Sequence, residues 1–171
     1  LQAANDTILK RMKRRHVTDD ARRMVGHARA ARPDVVFGAD IIAGFPTEDA
    51  AMFQDTLDAV DALDLTYLHV FPYSERPGTP AARMPQVDKP TRKARAAELR
   101  AAGRRAMARF LHGRVGETTD VLLEEVDDDG RMKGRTPHFA PVRVARDGDV
   151  GAVRRVRITH AHDDHLIGEA I

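Results

Sequence analysis

Residues 35–43, V-V-F-G-A-D-I-I-A, are mostly apolar and lack a polar residue at every second position. Strands buried on both faces of a parallel sheet read this way. The run breaks at Gly44-Phe45-Pro46, because proline gives no N–H to a sheet ladder. Thr47 suits a helix N-cap, with Glu48 and Asp49 in a first turn whose dipole favours carboxylates. The pattern therefore predicts strand, glycine turn, and a helix over 48–64. Phe53, Leu57, Val60 and Leu63 form its apolar stripe, with Asp55, Asp58, Asp61 and Asp64 opposite. A second apolar run at 67–71 predicts the next buried strand, stopped by Pro72.

Upstream, residues 1–3 read as the tail of a strand. Asn5 or Asp6 caps a basic helix through Arg15, with Ile8, Leu9 and Met12 on one face. Thr18 caps a second helix, with Asp19 and Asp20 in its first turn, running to about Arg32. Downstream, 73–90 is long for a plain connection, and such loops are often functional. Pro77-Gly78 fits the centre of a type II turn there. Pro90 opens a long basic helix, with Leu99, Met107, Phe110 and Leu111 as apolar positions and Gly113 as its stop.

From about Arg114 helical spacing gives way to five short strands, at 118–126, 131–135, 142–145, 153–160 and 166–171. Asp-Asp-Asp-Gly at 127–130 and Arg-Asp-Gly-Asp at 146–149 read as hairpin turns. Five strands in so short a span predict a small β-barrel. The expected division is 1–112, an α/β part, and 113–171, a β-barrel.

Composition narrows the classes. The chain of 171 residues has no cysteine, so neither a disulfide nor a thiolate-held metal or cluster is available to it. With no long apolar run and no signal-peptide pattern, a soluble cytoplasmic protein without a membrane partner is expected. The chain opens on Leu1 rather than Met, which suggests a fragment or a processed product. Net charge is only +2, but it is laid out in blocks. Residues 1–32 hold nine bases and three acids, 33–75 no base and nine acids, 76–114 eleven bases and two acids, and 115–171 eight bases and twelve acids. Basic blocks of this kind mark candidate polyanion-binding faces.

Three stretches, taken together and in order, carry a resemblance. L-Q-A-A-N-D-T-I-L-K-R-M-K-R-R, A-D-I-I-A-G-F-P-T-E-D and H-V-F-P-Y-S-E-R-P-G-T-P-A-A-R-M resemble motifs of the radical S-adenosylmethionine tRNA methylthiotransferases. The β-rich end occupies the place of that family's RNA-binding TRAM domain. The implied fold is α/β: the later half of a radical SAM (βα) barrel, followed by a small OB-like barrel. The implied activity is addition of a methylthio group to an adenosine beside the tRNA anticodon. H-V-F-P-Y-S leans toward the branch acting on N6-threonylcarbamoyladenosine, with isopentenyladenosine as the alternative. A stand-alone, non-catalytic RNA-binding module is the competing class. The sequence departs from the family at Thr47, where glycine is usual, and in its lack of cluster-binding cysteines. The resemblance implies S-adenosylmethionine and two 4Fe–4S clusters in the full-length protein, whose missing N-terminal part would be a partner. The chain alone is expected to be inactive, and its open barrel half to self-associate.

By resemblance, Gln2, Asp40, Ile42, Gly44, Val70 and Phe71 are the cofactor-binding candidates. Ile42 and Gly44 match the adenine-side strand, Asp40 and Gln2 offer polar contacts, and Val70 with Phe71 an apolar wall. Candidates for tRNA phosphates are Arg76, Arg83, Arg104 and Arg105 in the α/β part, with Lys93, Arg95, Arg100 and Arg109 on the same helix. In the barrel they are Arg143, Arg146, Arg154, Arg155 and Arg157. The acids at 124–129 weaken such contacts wherever they lie close. His160-Ala161-His162-Asp163-Asp164-His165 resembles the H-x-H-x-D-H metal motif of metallo-β-lactamase-like hydrolases. Only six residues follow it, too few for the remaining ligands. The expectation is therefore a hairpin turn at Asp163-Asp164 flanked by His162 and His165, and no metal site.

Overall fold

The computed structural model describes residues 1–145 and 148–171. The chain divides into two compact units, Leu1–Ala106 and Met107–Ile171.

The first unit begins with α1 (Asp6–Arg11), whose cap Asn5 accepts the N–H groups of Thr7 and Ile8 through its side chain. The helix is shorter than its pattern suggests, because Lys13 turns left-handed at φ 59° just past its end. In α2 (Thr18–Ala31) the capping position is Val17, not Thr18. The Asp20 carboxylate takes the Val17 N–H at 2.9 Å, and Asp6 takes both the N–H and the hydroxyl of Thr18 at 2.8 Å. These bonds from Thr18 hold the Asp6 carboxyl below its usual range.

Strand β1 (Phe37–Ala43) and β2 (Leu65–Pro72) pair in parallel, joined through α3 (Ala50–Ala62), with Asp40 opposite His69 and Ile42 opposite Phe71. Gln2 runs beside β1, its carbonyl accepting the Ile42 N–H at 2.9 Å. Ala39, Ile41, Ala43, Leu65 and Val70 join a core with Val60, Phe53 and the Ala96, Leu99 and Ala102 face of α4 (Lys89–His112). The opposite face is open: Asp40 and His69 are exposed, and Phe71 is 54% exposed. Burial on both faces, the expectation from the unbroken apolar run, is thus corrected. Alternation is weak because the open face is itself partly apolar, through Ile42 and Phe71. A second cluster seats Phe45 against Ala3, Ile8, Leu9 and Tyr73.

Helix α3 starts two residues later than its sequence signal. Its cap is Asp49, which accepts the Met52 N–H at 2.8 Å. Thr47 is not the cap. It sits at φ 68°, following Gly44 at φ 72°, and these two left-handed residues swing Glu48 back into the protein.

The second unit is a closed barrel of β3 (Thr118–Val126), β4 (Met132–Arg135), β5 (Pro141–Val144), β6 (Val153–Ala161) and β7 (Leu166–Ala170), in the order β3-β4-β5-β7-β6. Inward residues Val121, Leu123, Met132, Val142, Val144, Val156, Ile158 and Leu166 fill it. Gly134 and Gly168 are glycines because a Cβ at either would collide with a neighbouring strand. Asp127 closes the β3–β4 turn by accepting the Asp129 and Arg131 N–H groups, with Gly130 at φ 76°. Of the hairpin expected at 146–149, residues 146 and 147 lie outside the described residues. β5 pairs with β4 and, in parallel, with β7, so it is not a neighbour of β6.

Candidate cofactor and nucleic-acid surfaces

The open face of the two-stranded sheet gathers three of the six cofactor candidates. Asp40, Ile42 and Phe71 share it, with Phe71 beside Ile42 across the strands. Gln2 borders it through its backbone. Val70 belongs to the opposite face, 8% exposed and within the core, because neighbouring residues of a strand point to opposite sides. Gly44 lies behind the strand end rather than on the open face. A Cβ there would collide with Arg92 Cγ, so this glycine admits the stem of Arg92.

Two ionic contacts at this strand end, each with a buried partner, escape sequence reading. The side chain of Glu48, 1% exposed, accepts the Gly44 N–H at 3.0 Å and Arg95 Nη1 at 2.8 Å. Arg95 also donates to the Glu48 carbonyl at 2.9 Å and lies over the Phe53 ring. Burial pushes the Glu48 carboxyl up, against the opposing pull of the Gly44 N–H and Arg95. Arg92, 8% exposed, donates to the Tyr73 carbonyl at 3.0 Å and to Glu75 at 3.2 Å. No local signal marks these pairs, whose partners lie 47 and 17 residues apart. Arg95 is accordingly not a solvated phosphate ligand, and Arg100 spends a donor on the Val70 carbonyl at 3.0 Å. Arg76, Arg83, Arg104 and Arg105 are exposed and hold no ion pair among the described residues.

In the barrel unit, Arg155 and Arg157 project outward from β6. Arg154 alternates to the inner side, half-buried against Gly148. Arg155 stands opposite Asp120 and pairs with it at 3.1 Å. Arg143 lies 3.9 Å from Asp127, and Arg135 3.5 Å from Glu124. The barrel's acids therefore do crowd its arginines. Arg157 faces Thr118 and Glu169 in register, without an ion pair among the described residues. Arg146 lies outside the described residues.

The sequence reading passed over Phe139. It is 72% exposed and left-handed at φ 62°, at the tip of the β4–β5 turn. Hydrogen bonds Phe139 N to Thr136 O, Ala140 N to Thr136 Oγ1, and Arg135 Nη1 to Phe139 O fix that turn. Leu122 and Val153, paired across β3 and β6, are exposed on the outer surface, and Leu122 pairs with Arg135. The available signal was an aromatic closing a proline turn between two short strands. His162 and His165 flank the last turn as stacked rings 4.6 Å apart, with His162 N donating to His165 O. Asp164, bonded to His165 at 2.7 Å, is held below the usual carboxylate range by that bond.

A closed five-stranded barrel of short strands is the architecture of the small OB-like β-domains. Residues 115–171 match the TRAM domain. Nearly the whole chain is similar to larger proteins. It is 41% identical to the threonylcarbamoyladenosine tRNA methylthiotransferase MtaB of Rickettsia prowazekii, over 97% of this chain and 38% of that protein. It is also 41% identical to the tRNA-2-methylthio-N(6)-dimethylallyladenosine synthase of Ruegeria pomeroyi, over 99% of this chain and 39% of that protein. The corresponding synthase of Erythrobacter litoralis is 38% identical over the full chain. By these findings the chain is similar along nearly its whole length to tRNA methylthiotransferases. It spans about two fifths of the length of the curated relatives it matches. No helix among the described residues is long and apolar enough to cross a membrane.

Proposed function

We propose that this chain supplies part of a radical SAM barrel and an RNA-binding barrel to an enzyme that methylthiolates N6-threonylcarbamoyladenosine next to the tRNA anticodon. The observation that carries the reading is the unbroken similarity to methylthiotransferases, with a TRAM domain at its end. The H-V-F-P-Y-S stretch favours the threonylcarbamoyl branch. Equal identity to a dimethylallyladenosine synthase keeps isopentenyladenosine as the second reading.

Asp40, Ile42 and Phe71 suit S-adenosylmethionine: an exposed apolar pair for an adenine face, and a carboxylate for hydroxyl or ammonium donors. They lie toward the carboxyl ends of parallel strands, where α/β folds bind ligands. When bound, that cofactor supplies hydrogen abstraction at an adenine carbon. Iron–sulfur clusters do not fit this chain, which has no cysteine, and no group of three metal-ligating side chains occurs among its described residues. The buried Glu48–Arg95 pair fixes the turn behind the sheet, and so holds the open face in place.

Fluorescence titration of the chain with anticodon stem-loops, bearing threonylcarbamoyladenosine, isopentenyladenosine or plain adenosine, tests the reading. Tighter binding of the threonylcarbamoyl form supports it. Preference for the isopentenyl form moves the chain to the second reading, and absence of RNA binding overturns both.

A further inference from the structure

We propose that the carboxyl end of β2 and the first turn of α4 form a binding site for an RNA backbone phosphodiester, in which Glu75 occupies the arginine until RNA displaces it. The proposal rests on the RNA reading above and adds a specific contact to it.

A cavity of about 540 Å³ opens here, lined by Tyr73, Ser74, Glu75, Lys89, Arg92 and Lys93. Its deepest charge is Arg92. The Arg92 stem packs on Gly44, its guanidinium lies 5.7 Å from the Tyr73 ring centroid, and Nη1 is fixed on the Tyr73 carbonyl. The guanidinium is thus held rigidly, which lowers the entropy cost of using it. Two polar atoms here are buried without a hydrogen-bond partner: Arg92 Nε and the Tyr73 hydroxyl. Buried polar groups are nearly always satisfied, and these two belong to residues that line the cavity.

The charge around the cavity selects an anion. Lys89 and Lys93 lie one helical turn apart, exposed, and neither is held in an ion pair among the described residues. Two acids oppose the three cations. Asp88 is engaged as the helix cap, its carboxylate accepting the Thr91 N–H at 2.9 Å. Glu75 touches Arg92 Nη2 at 3.2 Å, longer than the 2.7–2.9 Å usual for a charge-assisted bond. Its side chain is 48% exposed, so it is a weakly held stand-in for an oxyanion. A phosphodiester brings two oxygens to the guanidinium, with the ammonium groups as flanking point charges. The site begins one residue past Phe71, so a nucleotide with its phosphate here has its base within reach of the open sheet face.

Titration of the full chain with an anticodon stem-loop across a salt series tests the proposal. The double variant Lys89→Ala/Lys93→Ala is expected to flatten the slope of log K against log salt by about 1.4, two single-strand phosphate contacts. Its melting should be unchanged, since both side chains are exposed. Glu75→Gln is expected to bind roughly fivefold tighter, because a competing charge is removed near the solvent boundary. A purely structural role for this ion pair would not raise affinity. An unchanged slope, or no gain in Glu75→Gln, overturns the site while leaving the RNA reading intact. If the native chain binds no RNA, amide shifts on adding inorganic pyrophosphate decide separately. Shifts at Lys89, Arg92 and Lys93 that vanish in the double variant keep the anion site and overturn its RNA ligand. No shifts overturn the site as well.

Discussion

The ion pair between Glu48 and Arg95 offers the sharpest perturbation of the first unit. Arg95→Ala removes the cation paired with a carboxylate that is 1% exposed, and leaves that carboxylate its bond to the Gly44 N–H. Stranding a buried charge in this way costs about 3–5 kcal/mol. The lost donation to the Glu48 carbonyl and the lost cover of Phe53 are included in that figure. Glu48→Gln should cost less, roughly 1–2 kcal/mol, because an amide oxygen still accepts from Gly44, while Arg95 loses its carboxylate but is 13% exposed and keeps the Glu48 main-chain carbonyl. In the double variant the two losses should not add, and a coupling of about 2 kcal/mol is expected.

pH supplies an independent check, and its sign follows from the direction of the shift. The folded carboxyl is raised above its ordinary value of 4.5, chiefly by burial. The folded state therefore binds the Glu48 proton more tightly than the unfolded state. The penalty is fully present above the folded pKa and disappears as pH falls through it toward the unfolded value. Without Arg95 the carboxyl rises further, so the gap between Arg95→Ala and the native chain should narrow on acidification. Urea unfolding followed by the helical far-UV signal, over a pH series, measures both effects. A loss below about 1 kcal/mol in Arg95→Ala at neutral pH, or a gap that widens in acid, would refute the reasoning.

Gly44→Ala should destabilise by roughly 2–4 kcal/mol, the sum of a left-handed φ and a clash with the Arg92 stem, and thermal melting measures it. Phe139→Ala should leave melting unchanged, since the ring is exposed, but weaken single-stranded RNA binding by about 1–3 kcal/mol, the worth of one base–aromatic stack. Charge reversal at Arg155 and Arg157 should lower RNA affinity and flatten its salt slope, whereas the inward Arg154 should report on folding instead; equal effects at all three would contradict the alternation of β6. Anaerobic reconstitution with iron and sulfide should yield no stoichiometric cluster, as judged by visible absorption and iron content.

The barrel was the more legible half. All five strands lie close to their alternation signals, because inward and outward residues differ in polarity and Asp127 with Gly130 punctuates the first turn. The order was less legible. β5 and β7 pair in parallel although β6 lies between them in sequence, so β5 and β6 are not neighbours. In the first unit the helix-start grammar at Thr47-Glu48 misled, because two left-handed residues carry the chain past the expected cap and bury the glutamate. The same long-range pairing explains the charge blocks. The acids of 33–75 are partly spent on the flanking basic blocks: Glu48 on Arg95, Glu75 on Arg92, Asp64 on Arg29. A block count therefore overstates the free positive surface. What remains on the second basic block with neither an ion pair nor a side-chain hydrogen bond among the described residues is a smaller set of exposed cations: Arg76, Arg83, Lys89, Lys93, Arg104 and Arg105. Of these, Lys89 and Lys93 line a cavity together with the buried guanidinium of Arg92. That is why the proposed backbone contact falls there, and not on the more numerous arginines that composition alone brings forward.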